Sequence, residues 1–329
     1  MKNRQPKAIK AIRSLLHEET DFHKFLQFLF FRQWHAVKEY AFNHEVKIIG
    51  DIPIFVSLDS ADVWTNPEIF ELDKNLDPVR VGGVPPDYFS KTGQLWGNPL
   101  FRWDVLKETG YKWWIERIQT NLLLYDIIRI DHFRGYTASW AVPFGETTAI
   151  KGEWIPSPGK DFFITLRKVF VNLPFIAEDL GVITPEVEEL RDEHGLPGMK
   201  ILQFAFDSNE TNDYIPHNYN KNSVVYTGTH DNDTVVGWFK NASTEDRKYV
   251  LDYLNAGENE IHWSLIRLAW SSVANMAIVP MQDLLGLDTP ARMNLPDTLQ
   301  NNWKWRAKSG DFTPALAAKL AHLTLLYGR

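Results

Sequence analysis

Short apolar, β-branched runs alternate along the chain with stretches of helical periodicity, the pattern of parallel strands joined by helices. Strands are predicted over 46–56, 126–131, 175–179, 199–206, 223–228 and 276–281. Helices are predicted over 21–42, 111–124, 161–172, 184–194, 244–255, 260–273 and 314–327. In the first of these Phe22, Phe25, Leu26, Leu29, Trp34, Val37 and Ala41 approximate one face. The helix over 184–194 carries its own punctuation, with Thr184 as N-cap, Pro185 at the first helical position and Gly195 at the end. Between the first two strands, residues 57–103 are rich in Pro, Gly and aromatics, and the pattern predicts a long loop of functional use. No flexible linker or repeat interrupts the chain, so residues 1–329 are expected to form one α/β domain with 57–103 as a long insertion at its substrate site.

Composition narrows the class. The chain has 35 Lys and Arg against 42 Asp and Glu, a net charge of -7, which disfavours nucleic acid and favours a neutral partner. With 44% hydrophobic residues it can bury a sizeable core. It has no cysteine, which removes disulfides, thiolate metal sites and cysteine nucleophiles. The basic N-terminus runs into Glu18, Glu19 and Asp21 where a signal peptide would need an apolar stretch, and no apolar run approaches a membrane span. A cytoplasmic protein without membrane or nucleic-acid partners is expected.

Several predicted strands lead into a carboxylate: Ile48-Ile-Gly-Asp51, Ile127-Ile-Arg-Ile-Asp131 and Phe175-Ile-Ala-Glu178, with Thr229-His-Asp231 just beyond the fifth. A single Asp in such a place is most often a cap or a solvated loop residue. Four in order on one rim point instead to acid/base or nucleophilic chemistry, because crowded charges repel and need a task. Arg129 and Asp131 are two apart in a strand and share a face, which suits either an ionised nucleophile or a structural ion pair. Glu178 follows an apolar run, the setting of a protonated general acid. Asp131-His132 and His230-Asp231 lack metal-site spacing, and Val81-Gly-Gly-Val lacks a nucleotide-binding pattern, so no metal or cofactor is expected. Most of the aromatics belong to the core. Tyr88, Phe89 and Trp96 are the exceptions, set among Asp87, Gln94 and Asn98 as sugar-packing faces would be.

The longer motifs are specific. Gly50-Asp-Ile-Pro-Ile-Phe-Val56, Gly83-Val-Pro-Pro-Asp-Tyr-Phe-Ser90, Gln94-Leu-Trp-Gly-Asn-Pro99, Arg129-Ile-Asp-His-Phe-Arg-Gly135, Ala177-Glu-Asp-Leu-Gly-Val-Ile-Thr-Pro-Glu186, Gly195-Leu-Pro-Gly-Met-Lys200, Thr227-Gly-Thr-His-Asp-Asn-Asp-Thr234 and Ala291-Arg-Met-Asn294 occur in order. Together they resemble the 4-α-glucanotransferases, the amylomaltases or disproportionating enzymes of glycoside hydrolase family 77, relatives of the α-amylases. The resemblance implies a (β/α)8 TIM-barrel fold and retaining double displacement on α-1,4-glucans such as maltodextrins, with glucose as an acceptor and no cofactor. It implies Asp131 as nucleophile, Glu178 as acid and base, and Asp231 as transition-state stabiliser. It implies substrate-binding or supporting roles for Arg129, His132, His230, Asp87, Trp96, Asn294 and Asp51.

One departure follows. The family carries a further N-terminal region that supplies the first two barrel strands, and about six of eight strands are visible here. An incomplete barrel is therefore expected: a fragment, a barrel completed by a second chain, or strands that close differently. Against active transfer stand two other readings, an α-glucan hydrolase and a catalytically silent glucan- or partner-binding fragment.

Overall fold

The computed structural model describes residues 2–86, 90–207, 209–296, 298 and 300–329. The chain divides into two compact units, Met1–Leu196 and Pro197–Arg329.

The first unit holds two sheets. Strands β1 (Ile49–Ile52), β4 (Ile127–Ile130) and β7 (Phe175–Ala177) lie parallel in the order β1-β4-β7. Strands β2 (Arg80–Val84), β3 (Gln94–Pro99), β5 (Ala138–Pro143) and β6 (Glu153–Pro156) form an antiparallel sheet in the order β3-β2-β5-β6. Parallel neighbours need a helical return, and helices Lys112–Leu124 and Gly159–Val169 supply it. Their apolar faces and those of the parallel strands bury Trp114, Ile118, Ile128, Ile130, Phe162 and Leu166 in one core. The second unit holds parallel strands β8 (Gly198–Ile201), β9 (Ser223–Tyr226) and β10 (Met276–Ile278) in the order β10-β9-β8, with Val225, Leu202, Leu265, Ile266 and Ala269 in its core.

All six predicted strands occur, and among the described residues they are the parallel ones, each shorter than its apolar run. The seven predicted helices occur with ends shifted by a few residues. Gly195, at φ +64°, follows the helix Pro185–Glu193 as expected. Thr184 stands at the cap position, but its side chain does not bond the helix amides.

Two expectations are corrected. Residues 57–103 are not a plain loop: they contain the helix Ala61–Thr65 and strands β2 and β3, which pair through Gly83 and Leu95 across a register shift. Gly and Pro had masked these strands, since each depresses strand propensity even where a neighbouring strand completes the ladder. The helix His17–Asn43 forms where one face was apolar, yet it buries none of its residues. It is fastened by polar groups instead: Trp34 Nε1 donates to the Leu124 carbonyl at 2.8 Å, and Lys38 Nζ to those of Leu122, Leu123 and Tyr125. Among the described residues no helix is long and apolar enough to cross a membrane.

Candidate active site

Asp51, Arg129, Asp131 and Glu178 are brought together by strand register. Asp51 pairs with Arg129 across β1 and β4, and Ile130 with Ala177 across β4 and β7. The ladder continues one step beyond each strand, with the Asp131 amide on the Ile52 carbonyl at 3.1 Å and the Glu178 amide on that of Ile130 at 3.0 Å. Asp131 and Glu178 therefore stand side by side. Neighbouring strands are about 4.8 Å apart, and side chains two residues apart share a face, so all four polar groups project from one face of the sheet.

Arg129 is 8% exposed and organises the group. Its Nε and Nη2 donate to the two Asp51 oxygens at 3.0 and 2.6 Å, and Nη2 lies 3.4 Å from Asp131 Oδ1. Glu178 is half-buried, and its oxygen Oε2 accepts the His132 amide at 2.8 Å. Burial raises its pKa well above the usual carboxylate range, and the Asp131 charge acts in the same direction; Arg129 and the His132 amide only partly oppose them. One carboxyl beside a guanidinium and a second held toward its protonated form are the equipment of a nucleophile and a general acid.

The chain can make this contact because it turns sharply after β4. His132 has φ 47°, a left-handed conformation that costs a non-glycine residue about 1 kcal/mol or more. That turn aims the 132 amide at Glu178 and starts the short helix Phe133–Tyr136. The His132 ring meets Trp96 edge-on at 4.8 Å between centroids, and its Nε2 is buried without a hydrogen-bond partner among the described residues. Burial, with the nearby Arg134 charge, lowers its pKa to about 4, so it is neutral at neutral pH. Trp96 Nε1 donates to Gln94 Oε1 at 3.2 Å. Asp87, Tyr88 and Phe89 lie outside the described residues.

The second unit carries the other predicted group. Asp231 and His230 lie between β9 and the helix Val235–Asn241, with His230 Nε2 3.4 Å from Asp231 Oδ2. Asn294 joins them, its Nδ2 on Asp231 Oδ1 at 2.5 Å and its amide on the His230 carbonyl at 3.0 Å. The sequence reading passed over four residues here. Arg292 Nη2 donates to the Asp231 carbonyl at 2.5 Å, Trp303 packs on the His230 ring, Gln203 holds the Asp233 carbonyl, and Asp283 is buried under the segment's ends. Asp283 was findable, since Met276-Ala-Ile-Val-Pro-Met-Gln-Asp283 is another apolar run leading to a carboxylate.

A cavity of about 520 Å³ in the first unit, lined by Arg80, Trp103 and Ser139 among others, includes none of these candidate residues. Among the described residues no group of three or more His, Cys, Asp or Glu could hold a metal ion.

Comparison with known proteins bears on the same motifs. A family model described as 4-alpha-glucanotransferase matches residues 1–312. A 4-alpha-glucanotransferase of Synechocystis sp. is 57% identical over 99% of this chain and 65% of its own length; one of Clostridium butyricum is 50% identical over 100% and 68%. The chain thus spans about two thirds of the length of these relatives. Amylomaltase from Streptococcus agalactiae, solved in complex with acarbose, superposes with a TM-score of 0.96 at 42% identity, covering 99% of this chain and 66% of that one. The match bears out the α/β fold of TIM-barrel type expected from the motifs.

Proposed function

Since the chain belongs to the 4-alpha-glucanotransferase family, glycoside hydrolase family 77, we propose that it transfers α-1,4-glucan segments between maltodextrins, with glucose as one acceptor, by retaining double displacement. The observation that carries this reading is the side-by-side pair of Asp131, beside the Arg129 guanidinium, and Glu178, held toward its protonated form. In the first step Glu178 gives its proton to the departing glycosidic oxygen while Asp131 attacks the anomeric carbon. A covalent glucosyl-enzyme results, and the glycosidic C–O bond breaks. In the second step the ionised Glu178 takes the proton of the incoming 4-hydroxyl, whose oxygen displaces Asp131. The pair is assigned the retaining geometry, in which the two carboxyls stand about 5 to 5.5 Å apart with no room for an interposed water.

Asp51 takes both Nε and Nη2 of Arg129, and this holds the same Nη2 3.4 Å from Asp131 Oδ1. The neutral His132 ring, with its unsatisfied Nε2 beside Trp96, is suited to a sugar hydroxyl and an apolar sugar face. Asp231, braced by Asn294 and His230, is assigned the binding of hydroxyls on the distorted sugar. Asp87, within Gly83-Val-Pro-Pro-Asp87, is assigned a substrate contact on its motif alone. Transfer instead of hydrolysis requires that a bound acceptor outcompete water, and the region of β2 and β3 with the residues between them is assigned that screening.

The test is incubation of the purified chain with maltotriose beside an Asp131→Asn control, with products resolved by size. Glucose together with longer maltodextrins, absent from the control, is the expected result. Glucose and maltose alone would indicate a hydrolase. No turnover by folded protein would refute activity for this chain and favour the silent fragment, or a site that needs a second chain.

A further inference from the structure

Residues 228–234, which carry His230 and Asp231, are held at both ends by a side chain from another part of the second unit. Asp283, in the short helix Met281–Leu284, is 1% exposed. Its Oδ2 accepts the Thr227 hydroxyl at 2.6 Å, and its Oδ1 accepts the Val235 amide at 2.8 Å. Thr227 immediately follows β9, and Val235 is the first residue of the helix Val235–Asn241. One carboxylate therefore ties the point where the segment leaves the sheet to the point where it enters the helix.

We propose that Asp283 is a positioning residue, whose bridge between Thr227 and Val235 fixes the segment 228–234 and so the direction in which Asp231 and His230 meet the glucan. The proposal rests on the functional reading above, which places Asp231 against the sugar. A carboxylate suits this task because each oxygen accepts from a different donor, whereas an amide could accept through one oxygen only. Its burial is costly. Desolvation pushes the Asp283 pKa up to about 6, with the Asp233 charge acting in the same direction and the two hydrogen bonds opposing. An apolar side chain in this place would avoid that cost but would leave the Thr227 hydroxyl and the Val235 amide buried and unmatched.

Other bonds stiffen the segment from within. The Thr229 amide and hydroxyl both meet Asn232 Oδ1, at 2.8 and 2.9 Å, and the Asp231 amide donates to Thr229 Oγ1 at 3.2 Å. Gln203 Nε2 holds the Asp233 carbonyl at 2.7 Å and packs so closely on Gly228 that an added Cβ would lie 2.6 Å from it. The segment is thus internally braced, and its orientation is set at its ends.

The experiment uses the full chain with Thr227→Val, Thr227→Ser, Asp283→Asn and the Asp283→Asn/Thr227→Val pair. Maltotriose turnover is measured alongside hydrogen exchange of the folded proteins. Thr227→Val is expected to lower kcat by roughly ten- to hundredfold at little-changed KM, as misplacement of a group that holds the sugar in its distorted, transition-state-like form does. Thr227→Ser should restore it, and the double variant should lose little more than Asp283→Asn alone, because the two residues act as one bridge. Amides of 229–234 should exchange faster in Thr227→Val, while those of β8 and the helix Ile261–Ser271 stay protected. A folded Thr227→Val protein with wild-type kcat and wild-type exchange in 229–234 would overturn the proposal, as would an equal loss in the Val and Ser variants. If the wild-type chain leaves maltotriose unchanged, the functional reading fails separately, and the exchange data alone decide whether Asp283 holds the segment.

Discussion

Glu178 and Asp131 are chemically near-identical side chains one strand apart, and what separates them is the company each keeps. Asp131 has the Arg129 guanidinium at 3.4 Å, while Glu178 is raised by burial and by the Asp131 charge. The sign of the consequence is fixed. A carboxyl whose folded pKa lies above its unfolded value binds more protons when folded, so its contribution favours folding at low pH and is lost as pH rises through the folded value. In wild-type protein stability should fall as pH climbs above the ordinary Glu range, and thermal melts of Glu178→Gln should show a flatter dependence there. The same variant should lose about 10²- to 10⁴-fold in transfer, the usual worth of a positioned general acid. An unchanged pH slope would mean that the native Glu178 is already ionised. The apolar run before Glu178 announced this environment, and the two-residue spacing announced that Arg129 and Asp131 share a face. The link from the His132 amide to Glu178 was hidden, because it depends on a left-handed turn that nothing in His132 demands.

At the scale of elements, register does the positioning. Because Asp51 lies opposite Arg129, and Ile130 opposite Ala177, a slip of one residue in either pairing would turn the polar set to the other face. Gly50 helps set this register. A Cβ there would lie 2.0 Å from the Tyr125 ring, where helix Lys112–Leu124 gives way to β4. Gly50→Ala should cost about 1 to 3 kcal/mol, as overpacking does, and should weaken the adjacent Asp51–Arg129 pairing. Urea unfolding would measure the first effect; an unchanged midpoint would show that Tyr125 yields freely. The six parallel strands and their helices were legible because each is a local apolar pattern with its own punctuation. The antiparallel strands were not: β2 and β3 contain Gly82, Gly83, Gly97 and Pro99, and they are strands by virtue of their partners.

For the whole molecule, the helix His17–Asn43 stands out as an amphipathic element with none of its residues buried. Phe22, Phe25, Phe28 and Phe42 are all more than half exposed on it, a patch of the kind that drives association. The isolated chain should therefore self-associate in sedimentation velocity, and Phe25→Ser with Phe28→Ser should reduce this; a monodisperse wild-type monomer would count against the patch as the cause. The apolar spacing of this helix foretold its formation but not its exposure, because periodicity records which side chains could be buried and burial needs a surface to receive them. The division is the same throughout the protein. By itself the sequence determined the six parallel strands, the helices between them, the candidate carboxylates at strand ends and the family those motifs belong to, since these follow from short-range patterns and strand alternation. Tertiary structure alone decided that Arg129 divides its donors between Asp51 and Asp131, that His132 reaches Glu178 through its amide, and that Asp283 bridges Thr227 to Val235. Except for that between Arg129 and Asp131, those contacts join residues far apart in the chain, and their strength comes from burial and direction, which exist only after packing has removed the water.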